Sequence, residues 1–161
     1  MSTTAATSRM GEGFTLPELV AVLTIVGVLA MFVAPRLSGT FAGTRASYDQ
    51  VLAQVQFGRK AAIAQRRPVF VRIDAAQSRL CYSAAGACIG ADGVASPAGQ
   101  VPFTVAVPAG VTITAATFQF DALGRYLDAA GAYPAAALVI TVSGDSTHQF
   151  TVERETGYAH P

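Results

Sequence analysis

Residues 14–35 read FTLPELVAVLTIVGVLAMFVAP. Glu18 is the only charged residue in this stretch, and none lies between Leu19 and Ala34. At about 1.5 Å of rise per residue, a helix from Phe14 to Ala34 is roughly 31 Å long, close to the hydrocarbon thickness of a bilayer. The competing reading is a helix buried in a soluble core. A helix that is apolar on every side needs a large core around it, and the rest of a 161-residue chain is too small to supply one. The stretch is therefore read as a membrane-embedded helix, and the remaining fold must be built outside it.

Working outward, residues 1–13 (MSTTAATSRMGEG) are small and polar. An ordinary secretory signal has its apolar region before the cleavage site and loses it. Here a polar leader precedes the apolar run, so any cleavage would remove the leader and keep the greasy segment. On the other side, the small-residue stretch SGTFAG at 38–43 leads into a second helical pattern. Tyr48, Val51, Leu52, Val55, Ala62 and Ile63 fall near helical spacing. Pro68 disfavours helical geometry in the residue before it, so the helix should end near Arg66–Arg67. The spacing predicts one helix over about 14–66, lipid-facing first and amphipathic second, with Pro35, Gly39 or Gly43 as the places for a bend.

From Pro68 the period changes to that of strands. Val69–Asp74, Arg79–Ser83, Phe103–Val107, Val111–Thr114 and Thr117–Asp121 are β-branched or aromatic runs bounded by Gly, Pro or Asp. FQFDALGRYL at 118–127 reads as a hairpin turning at Asp121–Gly124. Leu138–Val142 and Gln149–Glu153 form a second pair around Gly144–Ser146, Gly86–Gly99 reads as a loop, and residues 155–161 read as a polar tail. The fold class is α+β: a long N-terminal helix packed on a small antiparallel β-sheet domain. Four segments follow: a leader at 1–13, a membrane and assembly helix at 14–38, its amphipathic continuation at 39–67, and a β domain at 68–161.

Composition narrows the function classes. Hydrophobic residues make up 52% and charged residues 13%, half the usual share, which excludes a disordered chain. A net charge of +1 argues against a strongly basic nucleic-acid binder. Two cysteines are too few for a disulfide-dense mini-protein or a four-thiolate zinc site.

The junction Gly13-Phe14-Thr15-Leu16-Pro17-Glu18 carries the most specific information. A glycine precedes a phenylalanine, and a glutamate stands fifth in the run that follows. This resembles the class III signal shared by type IV prepilins and type II secretion pseudopilins. The resemblance implies cleavage between Gly13 and Phe14 by a prepilin peptidase and N-methylation of Phe14. It also makes Glu18 and Pro35 assembly residues. Pro17 stands where an aliphatic residue is commoner.

A physical argument for Glu18 runs independently. A carboxylate in the bilayer centre costs about 2.5–3.5 kcal/mol on insertion scales, so it is rarely kept without a partner. The freed amine of a neighbouring subunit is a suitable cation. The alternative is a helix cap: Thr15-x-x-Glu18 matches a capping box at a helix N-terminus. Both can hold, one in the membrane form and one in a fibre. Ala21, Gly27 and Ala30 permit close helix approach.

The downstream half resembles the GspH/FimT branch of pseudopilins and minor pilins, through FDALGRYL and the terminal VERETGYAH, the latter being similar to minor pilins of mannose-sensitive haemagglutinin-type pili. The resemblance implies a non-enzymatic structural subunit, at a tip or initiating position of a type IV pilus-like fibre, or else a type II secretion pseudopilin. Its partners would be the prepilin peptidase, other pilins through the N-terminal helix, and the bacterial inner membrane, with no cofactor. Arg9 before the apolar run and Arg36 and Arg45 after it leave orientation undecided by charge. The resemblance implies a single pass with the β domain periplasmic.

In that compartment, a disulfide between Cys81 and Cys88 is the natural reading. Two unpaired thiols are the alternative, and a metal site borrowing His148 or His160 lacks ligand spacing. Gly144-Asp-Ser-Thr-His148 invites comparison with a hydrolase triad. Residues two apart beside a turn are not expected to converge, and no G-x-S-x-G elbow exists, so no catalytic residue is assigned. Arg59, Lys60, Arg66 and Arg67 form the basic cluster at the helix end. Some relatives in this branch bind DNA through basic residues near the C-terminus. Here Arg154 is flanked by Glu153 and Glu155, so a DNA-binding minor pilin is the lesser alternative and DNA is not an expected partner.

Overall fold

The computed structural model describes residues 15–37, 40–85 and 88–161, with side chains for 15–29, 43–85 and 88–161. The chain divides into two compact units, Met1–Gly39 and Thr40–Pro161.

The first unit holds helix α1, Leu16–Leu37. The Thr15 carbonyl accepts the N–H groups of Glu18 and Leu19, both at 3.1 Å, so Thr15 stands at the N-cap. Pro17 falls in the first turn, where its missing N–H costs no helical hydrogen bond. Glu18 also lies in this turn, where the helix dipole favours a negative charge. Inside α1, the Thr24 hydroxyl donates to the Ala21 carbonyl at 2.8 Å.

The second unit begins with α2, Thr40–Gln65. The single helix expected over 14–66 is thus described as two segments, with residues 38 and 39 outside the described residues. The strands are β1 Val69–Ile73, β2 Gln77–Cys81, β3 Thr104–Ala106, β4 Thr112–Ile113, β5 Ala116–Phe120, β6 Tyr126–Asp128, β7 Leu138–Ser143, β8 Thr147–Val152 and β9 Ala159–His160. Among the described residues they form two antiparallel sheets, β3-β2-β1-β5-β6 and β4-β7-β8-β9.

The fold is α+β. Alternation in β1 and in the β7–β8 pair sends one set of side chains inward, leaving Val69, Val71, Ile140, Val142, Phe150 and Val152 buried. Helix α2 packs against both sheets with Tyr48, Val51, Val55 and Ala62, the stripe that its helical spacing marks. Tyr48 meets the Phe150 ring edge-on at 5.9 Å between centroids, and Phe57 meets Phe103 at 5.5 Å.

Three details lie beyond the sequence reading. The β domain is built from two sheets, because β4, β7, β8 and β9 pair only among themselves. The polar tail contains a strand: Val152 pairs with Ala159 and Thr151 with His160, and Ala159 is buried. Gln54, a polar residue on the buried face of α2, is fully buried; its amide donates to the carbonyls of Ser78 at 3.1 Å and Phe103 at 2.8 Å. It adds a second donor to the Phe103 carbonyl, which also accepts the Leu80 N–H at 3.1 Å, and one to the Ser78 carbonyl, fixing α2 against β2 and the entry to β3.

Helix α2 closes at the expected place with a Schellman motif. Arg67 N–H donates to the Ala62 carbonyl and Arg66 N–H to the Ile63 carbonyl, both at 3.3 Å. Arg66 occupies the left-handed position, φ +51°, that glycine usually fills.

Candidate functional site

Gly13 and Phe14, the residues of the expected cleavage, lie outside the described residues. Pro35 falls within α1, and its side chain lies outside them. Glu18 is exposed, and so is every side chain from Thr15 to Leu29. Leu16, Leu23, Ile25 and Val28 are each at least 60% exposed. These side chains point to different sides of the helix, so the described part of α1 is an apolar rod uncovered all round. Among the described residues no helix is long and apolar enough to cross a membrane. The side chains of residues 30–42, which include the second half of the apolar run, lie outside that set.

Cys81 and Cys88 are joined in a disulfide, with Cα atoms 5.1 Å apart and both residues fully buried. Cys81 ends β2, and its backbone bridges to Gly93. The crosslink therefore ties the loop after β2 to the sheet edge.

The basic cluster at the end of α2 is dispersed among structural contacts. Arg59 Nε donates to the carbonyls of Gly124 at 3.2 Å and Thr156 at 2.8 Å, pinning the β5–β6 and β8–β9 turns to the helix. Gln56 assists by donating to the Ala159 carbonyl at 2.9 Å. The Arg67 guanidinium lies 3.6 Å from the centroid of the Tyr82 ring, a cation–π contact. Lys60 borders a recess of about 140 Å³ that it shares with Gln56, Arg59, Tyr158 and Ala159. Spacing placed these cations on one helix end; it could not show that Arg59 is committed to two turns distant in sequence.

The β5–β6 turn is organised by Asp121. Its Oδ1 accepts the N–H groups of Leu123 and Arg125, both at 2.9 Å, and its Oδ2 accepts Arg125 Nε at 2.7 Å. Burial alone would raise the carboxyl's pKa, but the hydrogen bonds from Arg125 and Leu123 outweigh it and hold the group below its ordinary value.

Ser146 and His148 do meet: Ser146 Oγ and His148 Nε2 are 3.0 Å apart, closer than their spacing beside a turn implied. The imidazole packs beside the Tyr48 ring, 5.4 Å between centroids. Among the described residues no acidic side chain hydrogen-bonds His148, so the pair lacks the third member that orients a general base. No group of three or more His, Cys, Asp or Glu side chains among the described residues is arranged to hold a metal ion.

No family model matches the chain, and no curated protein does. Among solved structures, the chain is similar to the type IV minor pilin FimU of Pseudomonas aeruginosa (strain PAO1) in two crystal forms. The form in space group P21 is 14% identical, with 72% of this chain and 85% of that chain covered and a TM-score of 0.49. The form in P65 is 12% identical, with 72% and 90% covered and a TM-score of 0.49.

Proposed function

We propose that this chain is a minor pilin or pseudopilin, a structural subunit of a type IV pilus-like fibre. In this reading it enters the inner membrane as a precursor and is cleaved between Gly13 and Phe14. It is methylated on Phe14 and joins a fibre through residues 14–38, with Pro35 in the assembling helix. The observation that carries the proposal is α1 itself. Its described side chains are apolar and uncovered on every side, with Glu18 as the one carboxylate at their start. Such a rod requires lipid or neighbouring helices around it. Its many β-branched residues, Val20, Val22, Ile25, Val26 and Val28, give it modest intrinsic helicity, so its surroundings must stabilise it.

Glu18 then has a specific task. In lipid it sits at the helix N-terminus, where the dipole lowers its cost. In a fibre, the amine freed at Phe14 of an adjacent subunit neutralises it. The β unit faces outward and selects partners.

The test is the intact mass and N-terminal residue of the protein taken from its host membranes, with and without the prepilin peptidase. Loss of residues 1–13 and gain of one methyl group, only when the peptidase is present, is the expected result. A chain that stays uncut in the presence of the peptidase overturns the proposal. A second arm uses Glu18→Ala, which should leave the precursor in the membrane and abolish incorporation into fibres.

A further inference from the structure

Helix α2 and the C-terminal segment enclose a recess of about 140 Å³, lined by Gln56, Arg59, Lys60, Tyr158 and Ala159. Its walls are fixed from both sides. Gln56 Nε2 donates to the Ala159 carbonyl at 2.9 Å, and Arg59 Nε donates to the Gly124 and Thr156 carbonyls at 3.2 and 2.8 Å. The Tyr158 ring is stacked on the His160 ring, 5.7 Å between centroids. Two adjacent cations thus line a preformed hollow, and no acidic residue lines it with them.

The pairing of charges elsewhere in the chain sets these two cations apart. Arg45, Arg79, Arg125, Arg154 and His160 each meet an acid of the same chain, respectively Asp49, Asp74, Asp121, Glu155 and Glu153. Among the described residues, Arg59 and Lys60 meet none. The bonds from Arg59 Nε go to two neutral carbonyls, which orient the guanidinium and leave its charge uncompensated. Two like charges beside one recess repel, and an anion seated between them reverses the sign of that interaction.

We propose that this recess receives an acidic side chain of a different, adjoining subunit of the fibre. The inference rests on the fibre reading above, which makes other subunits the nearest macromolecules. A hollow of this size admits the end of one side chain. A carboxylate there would meet the Lys60 ammonium and the terminal N–H groups of Arg59 in charge-assisted hydrogen bonds. A second copy of this chain is a poor donor. Five of its ten acidic residues are already paired with its own cations, and Asp128 accepts the N–H groups of Ala130 and Ala132. Nucleic acid fits less well, because two cations at one recess and a net charge of +1 provide no basic track for a phosphate backbone.

Lys60 is the one lysine of the chain, which makes the test specific. Fibres sheared from the native host are treated with a carbodiimide, which joins an amine to a carboxylate in contact with it. The coupled peptides are identified by mass spectrometry. The expected product joins Lys60 to an Asp or Glu of another pilin subunit. Lys60→Glu, checked for an unaltered thermal transition, should lower incorporation into fibres about fivefold. Lys60→Arg keeps the charge, and should restore incorporation while losing the coupled product. Fibres that contain the chain but leave Lys60 uncoupled overturn the proposal, as does coupling to an acid of the same chain or of a second copy. Normal incorporation of the Lys60→Glu variant does the same; if that variant has also lost retention of duplex DNA, the recess serves nucleic acid instead. A wild-type chain absent from fibres overturns both this inference and the reading on which it rests.

Discussion

Gly157 and Gly124 abut across the sheets: a Cβ atom on Gly157 would collide with the Gly124 carbonyl oxygen and lie 3.0 Å from the Phe120 ring. Both glycines have positive φ, +63° and +79°. The β8–β9 turn thus reaches the β5–β6 turn only because Gly157 carries no side chain; a Cβ atom on Gly124 would instead run into Ile63 of α2, and Arg59 bonds to both turns. Gly157→Ala would combine left-handed strain with a backbone clash, and should cost about 3 kcal/mol or more. Urea denaturation of the purified protein measures this.

Gln54 is fully buried with both amide donors spent on backbone carbonyls. Gln54→Leu keeps the volume and removes the donors, but it also removes the buried, unpartnered Gln54 Oε1 and leaves the Phe103 carbonyl its Leu80 N–H, so it should lose about 1 kcal/mol. A loss within a few tenths of a kcal/mol in urea denaturation would mean that those carbonyls are satisfied without it.

Arg66 pays left-handed strain at the C′ position of α2. Arg66→Gly removes that strain and should stabilise the fold by about 0.5–1 kcal/mol, after the extra backbone entropy of glycine in the unfolded chain is subtracted. The midpoint of thermal unfolding should rise correspondingly.

The Cys81–Cys88 crosslink closes a short loop and holds Cys88 at φ +54°. Replacing both residues by Ala should lower stability by about 2–4 kcal/mol. Reduction by thiol should slow in step with global unfolding, because both cysteines are fully buried.

The Glu153 hydrogen bond, with a further bond to the Pro161 carbonyl, raises the pKa of His160 above its ordinary value. The contribution of this pair to folding is therefore complete below about pH 6.5 and fades as pH climbs through the raised folded value. Hydrogen exchange in β9, corrected for its intrinsic pH dependence, should show protection falling as pH rises above about 6.5. His160→Gln should flatten that profile.

Much of this fold is written locally. The uninterrupted apolar run, the helical stripe of Tyr48, Val51 and Val55, the stop before Pro68, the alternation in β1 and the Asp121–Gly124 turn each rest on neighbours a few residues away. Hydrophobic period and turn chemistry act at that range, so the sequence alone determined the helices, most strands and the α+β class. What it could not determine rests on pairings between distant segments. Strand β4 joins β7 in a sheet apart from β3 and β5 because its partner, Ser143 opposite Thr112, lies 31 residues along the chain. Ala159–His160 has no alternation to read, and becomes a strand only because β8 offers its edge. Gln54 and Arg59 look like surface residues until their carbonyl partners arrive from β2, the β5–β6 turn and the C-terminal segment. The tertiary structure decided these, because a backbone carbonyl's need for a donor becomes visible only when burial removes the water that would otherwise supply it.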